Sequence, residues 1–294
     1  MSHQDAWLGF REFLLHRLTG SDGSQTLNAP ILTSPVSAAD NPAAALHHGL
    51  LNTLAQHTAP DGRSVDYAAL RREPVYQELQ HHANTLNHFD PATLTDRNAR
   101  LEFWINLYNS LIMHAVVALG VKRSVMEHRA GLWFFRQAAY CVGGQRMSCD
   151  DIEHGILRLN RGHPFVPGPH YSRSDPRRDW VVKPFEPRVH FALNCASRSC
   201  PPIRVYAADG LDAQLELATR GFLASEVSLA QDSATLHVSS IFNWFSGDFG
   251  GRQGVIGFVL EKHPDADFRE RLSAVRERVA LRYTRYDWGI NERV

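Results

Sequence analysis

NARLEFWINLYNSLIMHAVVAL, residues 98–119, is the stretch from which the fold is read. Leu101, Phe103, Trp104, Ile105, Leu107, Leu111, Ile112, Val116 and Leu119 cover most of a helical circumference. The spacing predicts a helix buried on nearly every side, and Gly120 stands where a helix ends. Glu102, Asn106, Asn109 and Ser110 fall in one narrow polar stripe. Such a stripe is either a solvent face or a seam toward an internal cleft. The width of the apolar surface favours the seam, because buried amides need partners and organise a site. Asn106 and Asn109 are therefore candidate substrate-binding residues.

Upstream, Trp7, Leu8, Phe10, Phe13, Leu14 and Leu18 recur at helical spacing and predict an amphipathic helix over 5–18. Residues 19–43 are rich in Gly, Ser, Pro and Ala and read as a flexible linker, so 1–43 form an appendage and 44–294 a single domain. Further helices are predicted around Leu50–Leu54 and over 75–89. Downstream, Gly143-Gly144 suits a tight hairpin turn between 139–142 and 145–147. Ser148 with Asp151 three places on caps a helix that sets Glu153 beside His154. Residues 161–187 read as a long loop that is a lid, a binding loop or a disordered segment. From Arg188 the alternation predicts a strand, with His190, Ala192 and Asn194 on one face and Cys195 at its end. A helix over 211–223, a second hairpin, two short helices and the alternating VALRYTRYDW (279–288) complete the chain. The expected class is α+β, helix-rich with a small, largely antiparallel sheet.

The 31 basic and 31 acidic residues balance, which removes the broad attraction that nucleic-acid binders rely on. No apolar run approaches the ~20 residues of a membrane span. The first residues lack the order of a signal peptide, so a cytoplasmic protein is expected, with Cys141, Cys149, Cys195 and Cys200 mostly as free thiols. Neither a Walker nor a dinucleotide glycine pattern is present, and no cofactor is expected.

Six words then stand in a recognisable order: VDYAAL (65–70), FWINLYN (103–109), DIEHGILR (151–158), HFALNCASRSCPP (190–202), SSIFNWF (239–245) followed by Asp248-Phe249, and YDW (286–288). Together they resemble the domain-of-unknown-function 547 family. Some members join a glutaredoxin domain, so the resemblance implies thiol or glutathione chemistry without naming an activity. The chain departs from the family pattern in its N-terminal helix and linker, and in the length of the 161–187 loop.

Cys195 is the candidate nucleophile. A thiol reacts as thiolate and needs a cation, a base or a helix N-terminus to lower its pKa. His190 or His154 is the candidate base, with Glu153 or Asn194 to orient it, and the N–H groups of Ala196 and Ser197 are candidate oxyanion donors. Asn194, Ser197, Arg198 and Asp248 join Asn106 and Asn109 as expected substrate contacts. This reading gives a cysteine-dependent hydrolase or acyl transferase acting on an amide, peptide or thioester bond of a small molecule or peptide. Two alternatives stay open. One is a thiol-redox or glutathione-linked protein using Cys195 and Cys200, although their spacing is not CxxC. The other is a non-catalytic interaction module, with self-association through the N-terminal helix. A zinc set drawn from His190, Cys195, Cys200 and His154 or Cys149 lacks any familiar spacing, so no metal is expected.

Overall fold

The computed structural model describes residues 3–29, 42–128, 132–232 and 234–293. They fall into two compact units, Met1–Phe185 with Leu193–Asp209 and Trp288–Val294, and Glu186–Ala192 with Gly210–Asp287.

The first unit holds α1 (His3–Thr19), α2 (Pro42–His57), α3 (Tyr67–Leu70), α4 (Pro74–Thr85), α5 (Arg97–Ala118) and α6 (Leu132–Gln137), and the hairpin β1 (Ala139–Val142) and β2 (Gln145–Ser148). The Asp96 carboxylate accepts from Ala99 N–H at 2.9 Å, which caps α5. The α5 helix is buried along almost its whole length, as its sequence predicts, and packs on α2 and α4. Gly143 and Gly144 take φ of 53° and 76°, the left-handed pair that a two-residue hairpin turn requires, and β1 and β2 pair antiparallel. The C-terminal segment closes this unit. Val65 N–H donates to Asn291 O, Arg293 N–H to Val65 O, Ile290 N–H to Arg123 O, Asn291 N–H to Ala196 O and Arg198 N–H to Gly289 O, all at 2.8–2.9 Å.

The second unit holds α7 (Leu211–Glu226), α8 (Ile241–Trp244), α9 (Gly251–Lys262) and α10 (Ala266–Val275), and the strands β3 (Ser228–Leu229), β4 (Thr235–Ser239) and β5 (Ala280–Thr284). Its core is aromatic, with Phe191 against Phe222, Phe242, Phe249 and Phe258 at ring separations of 5.0–6.1 Å. The second hairpin forms as expected, β3 antiparallel to β4. The last strand joins β4 in parallel, from Thr235↔Ala280 to Ser239↔Thr284. A parallel neighbour needs a crossover, and α8, α9 and α10 provide it. The helix-rich α+β class with small sheets is thus the observed one.

Several local expectations are corrected. Residues 187–191 form a 3-10 helix, not a strand. Pro187 presets the first turn and the Glu186 carboxylate accepts from Arg188 N–H, so a helical start replaces the extended one. Val189, His190 and Phe191 are all buried, so His190 and Asn194 share no strand face. The helix after Ser148 is a π-helix over Asp151–Leu157: Arg158 N–H reaches Glu153 O and Asn160 N–H reaches Gly155 O, both at 2.9 Å and five residues back. The linker is pinned where it is described. Asn28 bonds Ala83 O, Cys141 O and Cys141 N–H, and Leu27 N–H donates to Ala139 O. Residues 30–41 of that linker lie outside the described residues. The 161–187 segment is also held: Asn160 clasps Tyr171, Trp180 is buried beside Trp104, and Arg97 donates to Pro184 O. α10, capped by Asp265 and burying Phe268, Leu272 and Val275, is a helix the sequence reading passes over.

Candidate functional site

Cys195 sits in a loop held from below by α5. Asn194 N–H donates to Asn109 Oδ1 at 3.0 Å, and Asn194 Nδ2 donates to Pro201 O at 2.7 Å. Past the loop, Asn106 makes a two-way clamp on Tyr206, donating to its O at 2.8 Å and accepting from its N–H at 3.0 Å. The polar stripe of α5 is therefore a buried seam, as its apolar width implies. Its amides are engaged by backbone, so Asn106, Asn109 and Asn194 position the loop rather than present free groups to a ligand.

Within the loop, Ala196 is left-handed, with φ of 63°, and its N–H donates to Asn194 Oδ1 at 2.8 Å. That bond takes one of the two expected oxyanion donors. Cys195 is half-buried and forms a disulfide with the buried Cys200, with Cα atoms 6.2 Å apart. The expectation of mostly free thiols is corrected for this pair, while Cys141 and Cys149 are free. The turn brings the sulfurs together despite the spacing: Cys200 N–H donates to Ser197 O at 3.0 Å, and Cys195 N–H donates to Cys200 Sγ at 2.9 Å. The Ser197 hydroxyl lies 3.3 Å from Cys195 Sγ, and Arg198 is exposed beside it.

The π-helix gathers a second polar group in the same unit. Ser148 and Asp151 form the reciprocal cap read from the sequence, with Ser148 N–H and Oγ–H donating to Asp151 Oδ2 at 2.9 and 2.6 Å. Tyr171 O–H donates to the Asp151 carbonyl at 3.0 Å, and its ring lies where a Cβ on Gly155 would fall, 2.3 Å away. Burial raises the Asp151 carboxyl, but Arg177 and the His170 and Ser148 hydrogen bonds outweigh it and hold the group well below the usual range. Glu153 and His154 are neighbours, Oε1 to Nδ1 3.9 Å, and Tyr108 O–H donates to Glu153 Oε2 at 3.3 Å. His154 is buried, and Arg158 donates to its Nδ1 at 3.0 Å. Asp150, His154 and His163 each offer one donor atom within 4.8 Å of the others, a set the sequence reading misses because His163 arrives from the long loop. Its donor types suit zinc, but Arg158 on His154 and Arg136, 4.0 Å from Asp150, already face it with positive charge. Cys149, weighed as a zinc ligand, is sealed, and burial pushes its thiol well up.

His190 belongs to the second unit. There its Nε2 meets Asp248 Oδ2 at 2.9 Å, with both side chains almost fully buried, and its ring stacks on Phe245 at 4.3 Å. The structure thus pairs two residues that the sequence reading places in the site separately, one as a base and one as a substrate contact.

Residues 91–223 match the family model described as "Protein of unknown function, DUF547". The resemblance read from the sequence words is borne out over this stretch, which runs from before α5 through the π-helix and the cysteine loop into α7. No curated protein and no solved structure matches the chain. No helix among the described residues is long and apolar enough to cross a membrane.

Proposed function

We propose that this chain, whose residues 91–223 match the DUF547 family, acts by thiol–disulfide exchange at Cys195 and Cys200. The observation that carries the reading is the pairing of a half-buried Cys195 with a buried Cys200 inside one rigidly clamped loop. An incoming thiolate reaches the more open sulfur. It forms a mixed disulfide with Cys195 Sγ, and the S–S bond breaks to leave Cys200 as thiolate. The Cys195 N–H already points at Cys200 Sγ and stabilises that charge, which makes Cys200 a better leaving group. A second thiol then attacks the mixed disulfide, releasing Cys195 as a thiol and the two external sulfurs as a disulfide. The co-reactant is a low-molecular-weight thiol such as glutathione, or a protein dithiol.

The test is mass spectrometry of the full chain equilibrated in glutathione redox buffers, together with turnover of oxidised glutathione by the reduced protein. The expected result is a reversible gain of two hydrogens on reduction, and a mixed disulfide at Cys195 that accumulates in Cys200→Ser and is absent from Cys195→Ser. A pair that stays dithiol in every buffer, or an adduct that forms on Cys200 instead, overturns it.

The hydrolase or acyl-transferase reading is the second one. The observation in its favour is the half-buried Cys195 with the Ser197 hydroxyl 3.3 Å from its Sγ and the exposed Arg198 in the same loop. A thioester probe distinguishes the two: an acyl adduct on reduced Cys195 that hydrolyses with turnover favours acyl transfer over exchange.

A further inference from the structure

A cavity of about 270 Å³ lies within the first unit, away from the cysteine loop, and Arg136, Arg146 and Arg177 line it together with Ser148, Glu12 and Asp151. Three guanidiniums face one space against two carboxylates, and both carboxylates are engaged. Glu12 bonds Arg11 and Arg136, and Asp151 takes hydrogen bonds from Ser148, His170 and Arg177. Arg136 pairs with Glu12 and Arg177 with Asp151 and Asp175, and Arg146 is the one of the three whose hydrogen bonds reach no carboxylate. Its hydrogen bonds all go to backbone carbonyls, from Nε to Gln25 O at 3.0 Å and from Nη2 to Arg136 O at 2.6 Å and Gln137 O at 3.4 Å.

We infer that this cavity binds a phosphate group, free or as a small phosphomonoester. Guanidinium forks match phosphate oxygens in pairs, and convergent Arg side chains with a hydroxyl are the usual chemistry of such sites. A divalent cation is disfavoured by the three guanidiniums on the wall. The volume lies just under the lower end of small-molecule pockets, about 300 Å³, which suits a phosphate with a short carbon tail and not a nucleotide. Burial with Arg136, against Glu12, holds His16 below its usual value, and burial with Arg136 and Arg177, against Asp151, does the same for Arg146. Glu12, His16 and Gly23 come from the N-terminal segment, and His170 and Arg177 from the long loop. Glu12, His16 and Gly23 lie outside the stretch that matches the family model, and His170 and Arg177 lie inside it.

Isothermal titration calorimetry of the full chain with inorganic phosphate, at constant ionic strength against chloride, tests the inference. The expected result is saturable binding near one site per chain, weakened at least tenfold in Arg146→Gln and unchanged in Arg123→Gln, whose side chain is exposed. Because Arg146 also braces backbone, Gly23→Val provides an independent variant. It removes no hydrogen bond and places a side chain against the His16 ring, 3.3 Å from Cε1, at the cavity wall. It too is expected to weaken phosphate at least tenfold while the circular dichroism spectrum and Tm hold. Tighter binding of glycerol 3-phosphate than of phosphate identifies an ester ligand, and equal binding identifies the free ion. Heats no larger than with chloride, or an unchanged Kd in a folded Gly23→Val, overturn the inference.

Discussion

The helices α1 and α5 both carry rows of large apolar side chains, and they use them in opposite ways. In α5 the apolar surface is buried and the polar stripe is buried with it, its amides clamping the backbone of the cysteine loop. In α1 only Leu8 of the predicted apolar row is buried, at 3% exposure, while Phe10, Phe13 and Leu18 stand 58–67% exposed. That helix docks by charge. Arg11 donates to Pro167 O, Pro169 O and His170 O at 2.8–3.1 Å, and Glu12 pairs with Arg136. Periodicity therefore tells which residues share a face. It does not tell which face finds a partner, because here a guanidinium with three carbonyl acceptors anchors the helix while Phe10 and Phe13 stay exposed.

The contrast is sharpest at Asn106. Asn106→Ala leaves the Tyr206 N–H and C=O buried without partners, and is expected to cost about 2–4 kcal/mol, read as a lower midpoint in urea denaturation. A loss below about 0.5 kcal/mol would mean that the α5 seam is solvated and resembles the face of α1. Acid comes next. Burial raises the Glu12 carboxyl, but Arg136 and Arg11 outweigh it and hold it below its ordinary 4.5. A depressed folded value means the contact stabilises fully above pH 4.5 and is lost as pH falls through the folded value. Hydrogen exchange in α1 should therefore rise as pH drops below 4.5, after correction for intrinsic rates, before α5 exchanges at all; simultaneous exchange would break the distinction. The smallest effect is expected for Phe13→Ser. On an exposed face it should move stability by no more than about 0.5 kcal/mol, and a larger loss by thermal denaturation would show that the apolar row of α1 is covered.

Much of the scaffold was legible where one rule acted alone. The α5 pattern, the Gly143-Gly144 turn, the Ser148–Asp151 cap and the β3–β4 hairpin each follow from local chemistry and recur in the structure. The site was legible in its residues more than in its geometry. A π-helix and an α-helix differ by about one residue per turn, which seven residues from Asp151 to Leu157 do not separate in a polarity pattern. Val189, His190 and Phe191 alternate in polarity, yet all are buried, because Asp248 receives the imidazole and no solvent face is needed. The Cys195–Cys200 pairing depends on the left-handed turn at Ala196, a conformation that an alanine does not advertise. His163 and the phosphate cavity depend on a loop whose path no periodicity describes.

The strand-like pairings of residues 289–293 carry a consequence for how the molecule is made. Val65, Arg123, Ala196 and Arg198 each find a backbone partner in that terminal stretch. During translation these groups are synthesised first and remain unmet until residues 289–293 emerge. Domains ordinarily mature from the N-terminus as they emerge; here the first unit takes its closing residues from beyond Gly210–Asp287, so the backbone partners of the cysteine turn are made only after the whole second unit has been synthesised.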